Sequence, residues 1–236
     1  MKYRRILLKL SGEVLMGEKK HGIDLLSIEK FASEIKNVHD KNVGIAIVIG
    51  GGNIFRGLPG MAEGIERVQG DYMGMLATVI NSMALQSVLE KKGVPVKHLS
   101  GFQIDPLCEK MSSDKAIKNL GKGKVVIISG GTGNPFFTTD TAAALRAVEI
   151  RADVILKGTR VDGVYTADPE KDKSAVKYDK LSFDEAYDKG LMIMDLTAFT
   201  MCRENKIPII VFNINQQGNL EKIVTGEKVG TLVYNT

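Results

Sequence analysis

The sequence predicts an α/β protein, a three-layer αβα sandwich around a mostly parallel central sheet. Short apolar runs rich in isoleucine and valine alternate with longer segments whose apolar residues recur at helical spacing. Such runs are typical of strands that helices cover on both faces. The 236 residues, 44% of them hydrophobic, suffice for one core, and no repeat or linker divides the chain. We therefore expect a single domain over residues 1–236.

Three strands and a first helix are predicted before the middle of the chain. The expected strands are Ile6–Leu10, Ile45–Ile49 and Val94–Leu99, each a short apolar run. The apolar residues of Ser27–Asn42 recur every three or four positions, which predicts a helix covering the sheet.

A second, longer helix is predicted to start at Asp71, which can cap it, and to end near Lys92. The stretch before it, Gly57–Gly70, is expected to be a loop with a helical turn at Glu63–Arg67. The residues expected to share one apolar face of this helix are Leu76, Ala77, Ile80, Ala84 and Val88. The methionines Met73, Met75 and Met83 are expected in the core or at a subunit interface.

The stretch from Val125 to Arg151 is the first candidate ligand site. Val125–Ile128 predicts a buried strand, a turn with glycines at 130, 131 and 133 follows, and Ala142–Arg151 predicts a helix. Free N–H groups and the helix dipole at such a junction favour a bound anion. The alternative is a plain strand-to-helix turn.

The remaining elements complete the alternation of strands and helices. They are expected at Ser113–Leu120 (helix), Asp153–Lys157 (strand), Ser182–Lys189 (helix), Asp195–Asn205 (helix), Pro208–Asn213 (strand), Leu220–Val224 (helix) and Gly230–Tyr234 (strand). The loop over residues 158–169 is long and polar, and such loops are often functional.

Composition excludes several classes of function. A net charge of +4 without a basic block argues against a dedicated nucleic-acid binder. The two cysteines, Cys108 and Cys202, form no CxxC, which favours a reducing compartment and no structural zinc. Lys9 interrupts the N-terminal apolar run too early for a signal peptide, and no segment has the composition of a membrane span. We therefore expect a cytoplasmic protein.

A second glycine turn follows the strand Ile45–Ile49. Gly50–Asn53 lacks the Gly-Lys-Ser/Thr of a P-loop and the spacing of the dinucleotide fingerprint, and Arg56 is the first large cation after it. In a parallel sheet this turn, Lys9, Lys157 and the glycine turn after Ile128 all lie at the carboxyl ends of strands.

Those groups suit phosphoryl transfer better than acyl transfer. No histidine or cysteine joins them as an activated nucleophile, whereas lysines and anion-binding turns can position phosphates and neutralise their charge. Lys9 either leans out at its strand end or faces an anion, and Asp140 is either a helix cap, a catalytic group, or both.

Five segments resemble the bacterial uridylate kinases, a branch of the amino acid kinase fold family. They are KLSGE at 9–13, VIGGGNIFRG at 48–57, GDYMGMLATVIN at 70–81, GTGNPFFTTDTAA at 131–143 and KGTRVDGVYTADP at 157–169. With MDLTAF at 194–199 and the GEKVGTLV ending, the resemblance covers essentially the whole chain in order.

The resemblance implies transfer of the γ-phosphoryl group of ATP to UMP with Mg²⁺, within pyrimidine nucleotide biosynthesis. The N-terminal part is expected to bind mainly UMP and the C-terminal part mainly ATP. The implied catalytic residues are Lys9, Arg56, Asp140 and Lys157, with Asp140 expected to orient the lysines through hydrogen bonds. The implied ATP contacts are Lys9, Leu10, Ser11, Gly12, Gly52, Arg56, Thr159, Tyr165 and Asp168. The implied UMP contacts are Gly51, Asp71, Thr132, Gly133, Asn134, Pro135, Phe136, Phe137, Thr138 and Thr139.

The resemblance also implies a homohexamer, inhibition by UTP and activation by GTP. The segment Gly17–Gly22 departs from the common pattern of the family, because Lys20 and His21 stand where a glycine and an aromatic residue are usual. Two alternatives remain: a kinase of the same fold that acts on a carboxylate or carbamate, and a nucleotide-binding regulator or storage assembly.

Overall fold

The computed structural model describes residues 1–56 and 64–235. Its strands are β1 (Arg5–Leu10), β2 (Gly44–Ile49), β3 (Val96–Ser100), β4 (Glu109–Lys110), β5 (Val125–Ser129), β6 (Val154–Thr159), β7 (Val164–Tyr165), β8 (Lys177–Tyr178), β9 (Lys180–Ser182), β10 (Ile209–Asn213) and β11 (Thr231–Tyr234). Its helices are α1 (Leu25–His39), α2 (Arg67–Lys91), α3 (Ser113–Gly121), α4 (Thr139–Glu149), α5 (Phe183–Asp188), α6 (Leu196–Glu204) and α7 (Asn219–Thr225). A 3₁₀ turn, Gly12–Leu15, follows β1.

The described residues form a nine-stranded sheet in the order β4-β3-β5-β2-β1-β6-β10-β11-β9. Neighbouring strands are parallel except for β10 and β11. Alternate residues of each strand face opposite layers. Ile6 and Leu8 pack into the core beneath α1 and α7, and Leu7 packs into the core beneath α4 and α6. The predicted three-layer sandwich with a mostly parallel sheet is confirmed.

The long elements lie within a few residues of their predicted positions, and short strands were missed. The capping box at Ser182 and Glu185 is present at the start of α5. The predicted elements do not include β4, β8 and β9, and β7 lies within the predicted loop over residues 158–169. Helix α4 also begins earlier than predicted, at Thr139, and ends before Arg151.

Helix α2 does not begin at Asp71. The carboxylate of Glu66 caps it by accepting the N–H groups of Val68 and Gln69, both at 3.2 Å. Asp71 therefore lies one turn inside the helix, which frees its carboxylate for other contacts. The predicted loop over Gly57–Gly70 is wrong from Arg67 onwards. Residues 57–63, including Glu63 of the predicted turn, lie outside the described residues.

The predicted apolar face of α2 is also wrong in part. Leu76 and Ile80 are 46% and 50% exposed, whereas the polar residues Thr78, Asn81 and Ser82 are buried. Two of these buried polar side chains, Thr78 and Asn81, hydrogen-bond to the glycine turns. Asn81 donates to the carbonyl of Gly50 at 2.8 Å, and the N–H of Gly130 donates to the Thr78 hydroxyl at 2.8 Å.

Of the three methionines of α2, Met75 is buried while Met73 and Met83 are exposed. By length and composition alone, α2 could cross a membrane. Half of its most apolar window is buried within the protein, as is usual for the core helix of a globular domain.

Candidate active site

Two lysines and one aspartate meet where β1 and β6 end. Lys9 and Lys157 are register partners on these neighbouring strands. Each Nζ lies 2.7 Å from a different carboxylate oxygen of Asp140, and the three side chains are only 12–16% exposed. Adjacent ammonium groups repel each other at short range, so the carboxylate between them stabilises the pair. Lys9 thus faces an anion and does not lean out into solvent.

Asp140 reaches the lysines because it lies in the first turn of α4 without capping that helix. The cap is Thr138, whose hydroxyl accepts the N–H of Asp140 at 3.1 Å and that of Thr141 at 3.2 Å. The interpretation of Asp140 as a simple cap is therefore wrong.

Burial and charge oppose each other at this aspartate. Burial alone would raise the pKa of Asp140, but the charges and hydrogen bonds of Lys9 and Lys157 outweigh it and hold the pKa below its usual value. Burial, together with the charge of Lys9, lowers the pKa of Lys157 despite its bond to Asp140. The Nζ of Lys157 also donates to the carbonyl of Ile193 at 2.6 Å.

The loop between β5 and α4 is held in an uncommon backbone conformation. Phe136 has φ of 72°, in the left-handed region that side chains other than glycine rarely adopt. Its N–H donates to Asp71 at 2.8 Å, and the same carboxylate oxygen accepts Arg67 Nε at 2.9 Å. Asp71 therefore links α2 to this loop, and both Phe136 and Phe137 are exposed.

A cavity of about 530 Å³ lies between this loop, α2 and the second glycine turn, and we call it the Arg56 cavity. The predicted site residues that line it are Gly51, Gly52, Arg56, Asp71, Asn134, Phe137, Thr138 and Thr139. Thr132, Gly133, Pro135 and Phe136 belong to the same loop but do not line the cavity. Arg56 pairs with the carboxylate of Glu13, and its Nε donates to the carbonyl of Gly52 at 3.3 Å.

A second cavity, of about 320 Å³, lies at the carboxyl end of β6, and we call it the Tyr165 cavity. Lys157, Thr159 and Tyr165 line it together with mostly aliphatic residues. The Tyr165 hydroxyl donates to Asp162, which raises the pKa of Tyr165. Asp168 does not line this cavity. Its carboxylate instead accepts the N–H of Glu170 at 3.0 Å.

The turn after β1 lies against the second glycine turn. Leu10 is fully buried, and its carbonyl accepts the N–H of Gly50 at 2.9 Å. Ser11 caps the 3₁₀ turn. A Cβ on Gly12 would lie 2.4 Å from Asn53 Oδ1 and 2.5 Å from the Gly50 carbonyl, so only glycine allows this approach.

The described residues contain no cluster of three or more histidine, cysteine, aspartate or glutamate side chains that could hold a metal ion. Both oxygens of Asp140 already face lysines. Mg²⁺ commonly binds through one or two carboxylates, water and substrate phosphates. The side chains at this site therefore fit a magnesium ion that binds together with a phosphate ligand. They do not fit a magnesium ion held by the protein alone.

Sequence reasoning missed Asp195 and Ile193 as supports of the site. Asp195 caps α6 through the N–H of Ala198 at 2.9 Å and accepts the hydroxyls of Thr138 and Thr141. The sequence signal for Asp195 was an aspartate at a predicted helix start, which does not reveal its partners on α4. No sequence signal distinguishes the carbonyl of Ile193 from any other.

Fold and site together are those of a phosphotransferase without a P-loop. The model of the amino acid kinase family matches residues 4–213. Relatives named uridylate kinase from Parabacteroides distasonis and Phocaeicola vulgatus are each 58% identical, over 99% of this chain and 99% of theirs. The chain belongs to the amino acid kinase family and, within it, to the uridylate kinases.

Solved structures agree with this assignment. UMP kinase from Bacillus anthracis has a TM-score of 0.96 at 38% identity, covering 100% of this chain and 97% of that one. UMP kinase from Ureaplasma parvum has a TM-score of 0.93 at 37% identity, covering 100% of both chains.

Proposed function

We propose that this protein transfers the γ-phosphoryl group of ATP to UMP, giving UDP and ADP, in pyrimidine nucleotide biosynthesis. The observation that carries the proposal is the Lys9–Asp140–Lys157 group in a chain similar to uridylate kinases over 99% of its length. Lys157 lines the Tyr165 cavity, and Thr139, the neighbour of Asp140, lines the Arg56 cavity. The Arg56 cavity takes UMP and the Tyr165 cavity takes the adenosine of ATP.

The lining of the two cavities supports the proposal that different parts of the chain bind UMP and ATP. The Arg56 cavity is lined by residues from positions 51–78 and 131–139, and the Tyr165 cavity by residues from positions 157–211. The N-terminal part of the domain thus supplies most UMP contacts and the C-terminal part most ATP contacts. Nine predicted contacts line neither cavity and remain predictions: Lys9, Leu10, Ser11, Gly12, Thr132, Gly133, Pro135, Phe136 and Asp168.

The chemistry requires positioning and charge neutralisation more than proton transfer. The acceptor oxygen of UMP is already anionic, so no strong general base is needed. Lys9 and Lys157, held in place by Asp140, neutralise the charge that repels the two phosphates from each other. Arg56 exchanges its contact with Glu13 for a phosphate. Mg²⁺ bound with ATP would supply further neutralisation at the phosphate oxygens.

We also propose a homohexamer in which α2 contacts a second copy of the chain. This face of α2 carries a row of exposed apolar side chains: Tyr72, Met73, Leu76, Ile80 and Met83. A contiguous apolar face of this kind is typical of a protein interface. Inhibition by UTP and activation by GTP are proposed on the resemblance to the family. A cytoplasmic location is supported by two free, buried cysteines.

The test is ADP release from Mg-ATP with UMP, CMP, AMP, aspartate and bicarbonate as separate acceptors. We expect turnover with UMP, and loss of most of it in Lys9→Ala but not in Lys91→Ala, which changes an exposed lysine of α2. Turnover with aspartate or bicarbonate would instead indicate a carboxylate or carbamate kinase. Binding of UMP without turnover would indicate the regulator or storage assembly.

A further inference from the structure

The connection between α5 and α6 makes a tight turn at the mouth of the Tyr165 cavity. The N–H of Ile193 donates to the carbonyl of Leu191 at 3.0 Å, which closes a three-residue turn with Met192 at its apex. We call Leu191–Ile193 the Met192 turn. The side chain of Met192 is 94% exposed, although its neighbour Ile193 is buried.

Both sides of the Met192 turn are anchored. The N–H of Leu191 donates to the carbonyl of Ala186 at 3.0 Å, and the carbonyl of Ile193 accepts Lys157 Nζ at 2.6 Å. The apex is therefore held at a fixed place beside the cavity, and only the Met192 side chain is free to move.

Two segments outside the nine-stranded sheet line the Tyr165 cavity, in addition to residues of β6 and β10. One is the loop that carries Tyr165, and the other is the Met192 turn. Val161, Val164 and Val211 add aliphatic surface, and Lys157 supplies a cation. The cavity thus offers apolar walls to a flat ring system and a positive charge to the phosphates attached to it.

We propose that Met192 is a specificity-determining residue for the donor nucleotide, and that its thioether packs on the face of a purine base. This inference rests on the proposed function, because it assigns the donor base to the Tyr165 cavity. An unbranched, polarisable side chain adapts well to an aromatic face. A purine ring offers the thioether a larger flat surface than a pyrimidine ring does, so Met192 favours purine over pyrimidine donors.

Exposure alone does not carry this assignment, since single exposed apolar residues are common. Tyr187 and Leu196 lie close in sequence to Met192 and are also exposed, but neither lines the cavity. They show that an apolar side chain near this connection need not reach the donor pocket. Leu196 therefore provides the matched control.

The experiment is calorimetric binding, with Mg²⁺, of the β,γ-imido analogues of ATP and CTP and of tripolyphosphate, to wild type, Met192→Ala, Met192→Leu and Leu196→Ala. We expect Met192→Ala to bind the ATP analogue about three- to tenfold more weakly. Its affinities for tripolyphosphate and UMP should be unchanged, and its preference for the ATP analogue over the CTP analogue should shrink. Met192→Leu should retain most of the affinity, and Leu196→Ala should match wild type.

The outcomes separate this inference from the proposed function. Equal binding of the ATP analogue by wild type and Met192→Ala overturns the assignment of Met192 alone, as does an equal loss of tripolyphosphate affinity. A wild-type protein that binds neither nucleotide overturns the proposed function together with this inference. Because Met192 is almost fully exposed, the variant should keep the wild-type melting temperature, which checks that it is folded.

Discussion

Replacing Asp140 by asparagine should both destabilise the protein and stop catalysis. The substitution keeps the size of the side chain but removes the charge that lies 2.7 Å from each of two ammonium groups. Backbone pairing of β1 with β6 keeps Lys9 and Lys157 side by side. Their repulsion is then uncompensated, and one of them must lose its proton or move away.

The expected loss in the free energy of unfolding is about 3 kcal/mol, the lower end for breaking a buried ion pair, because the side chains retain some exposure. For a chain of this length, that corresponds to a fall of roughly 6–12 °C in melting temperature. The turnover number should fall by about a hundredfold or more, since the lysines lose their positions.

The stability deficit, which is the loss in the free energy of unfolding of Asp140→Asn relative to wild type, should depend on pH in a defined direction. The pKa of Lys157 already lies below its usual value of 10.5, and loss of Asp140 lowers it further. Between the folded and unfolded values, the unfolded state binds more protons, so the stability of the variant rises with pH in that window. The deficit relative to wild type should therefore be smaller at pH 9.5 than at pH 7.

Urea unfolding at both pH values measures these effects, with the exposed Asp188→Asn as the control. If Asp140→Asn is as stable as wild type at pH 7, the carboxylate does not hold the lysine pair. A deficit that is equal at both pH values would contradict the assignment of the effect to lysine ionisation.

Three further predictions concern pH, assembly and metal. Burial and the neighbouring Lys97 lower the pKa of His98 to about 4, so wild type should lose up to about 3 kcal/mol of stability between pH 6.5 and pH 4. Urea unfolding at pH 7.5 and pH 5 should show about 2 kcal/mol of that loss, and His98→Gln should largely remove it. Combining Leu76→Glu with Ile80→Glu should reduce the molar mass measured by light scattering, whereas the control Leu25→Glu, at another exposed leucine, should not. An unchanged molar mass would exclude the exposed apolar face of α2 as an interface. EDTA should abolish ADP release without changing the circular dichroism spectrum, and added Mg²⁺ should restore activity; loss of folded signal would instead indicate a structural metal.

Buried strands were predictable because a short run of apolar side chains is stable in a folded protein mainly when it lies in the core. β1, β2 and β5 therefore lie close to their expected bounds. Strands of two or three residues, such as β4 and β8, are too short to show a periodic pattern. These short strands are defined by hydrogen bonds to a neighbouring strand, and a local stretch of sequence does not reveal that partner.

Helix α2 shows a second limit of pattern reasoning. Its buried side carries Thr78 and Asn81, which satisfy main-chain groups of the glycine turns, while Leu76 and Ile80 face outward. Hydrophobic periodicity assumes that buried positions are apolar. In α2 the assumption fails on both faces, because polar side chains are buried against the two glycine turns and apolar side chains are exposed.

The candidate site was predicted as a set of residues at one edge of the sheet, with Asp140 orienting the lysines through hydrogen bonds, but the geometry of those bonds was not predicted. The sequence indicated that Lys9, Asp140 and Lys157 lie near one another. It could not show that one carboxylate bridges both lysines, because this depends on strand register and on a cap at Thr138 that leaves Asp140 free. The support from Ile193 comes from a main-chain carbonyl, which carries no sequence information.

The bridge between Lys9 and Lys157 has a consequence for the order in which activity appears during folding. The two lysines are more than a hundred residues apart in sequence, and they become neighbours only when β1 pairs with β6. Parallel pairing over such a separation is slow, because a long loop must close before any contact forms. Recovery of turnover after dilution from denaturant therefore follows the closure of this central pair, and it should lag behind the recovery of helical signal.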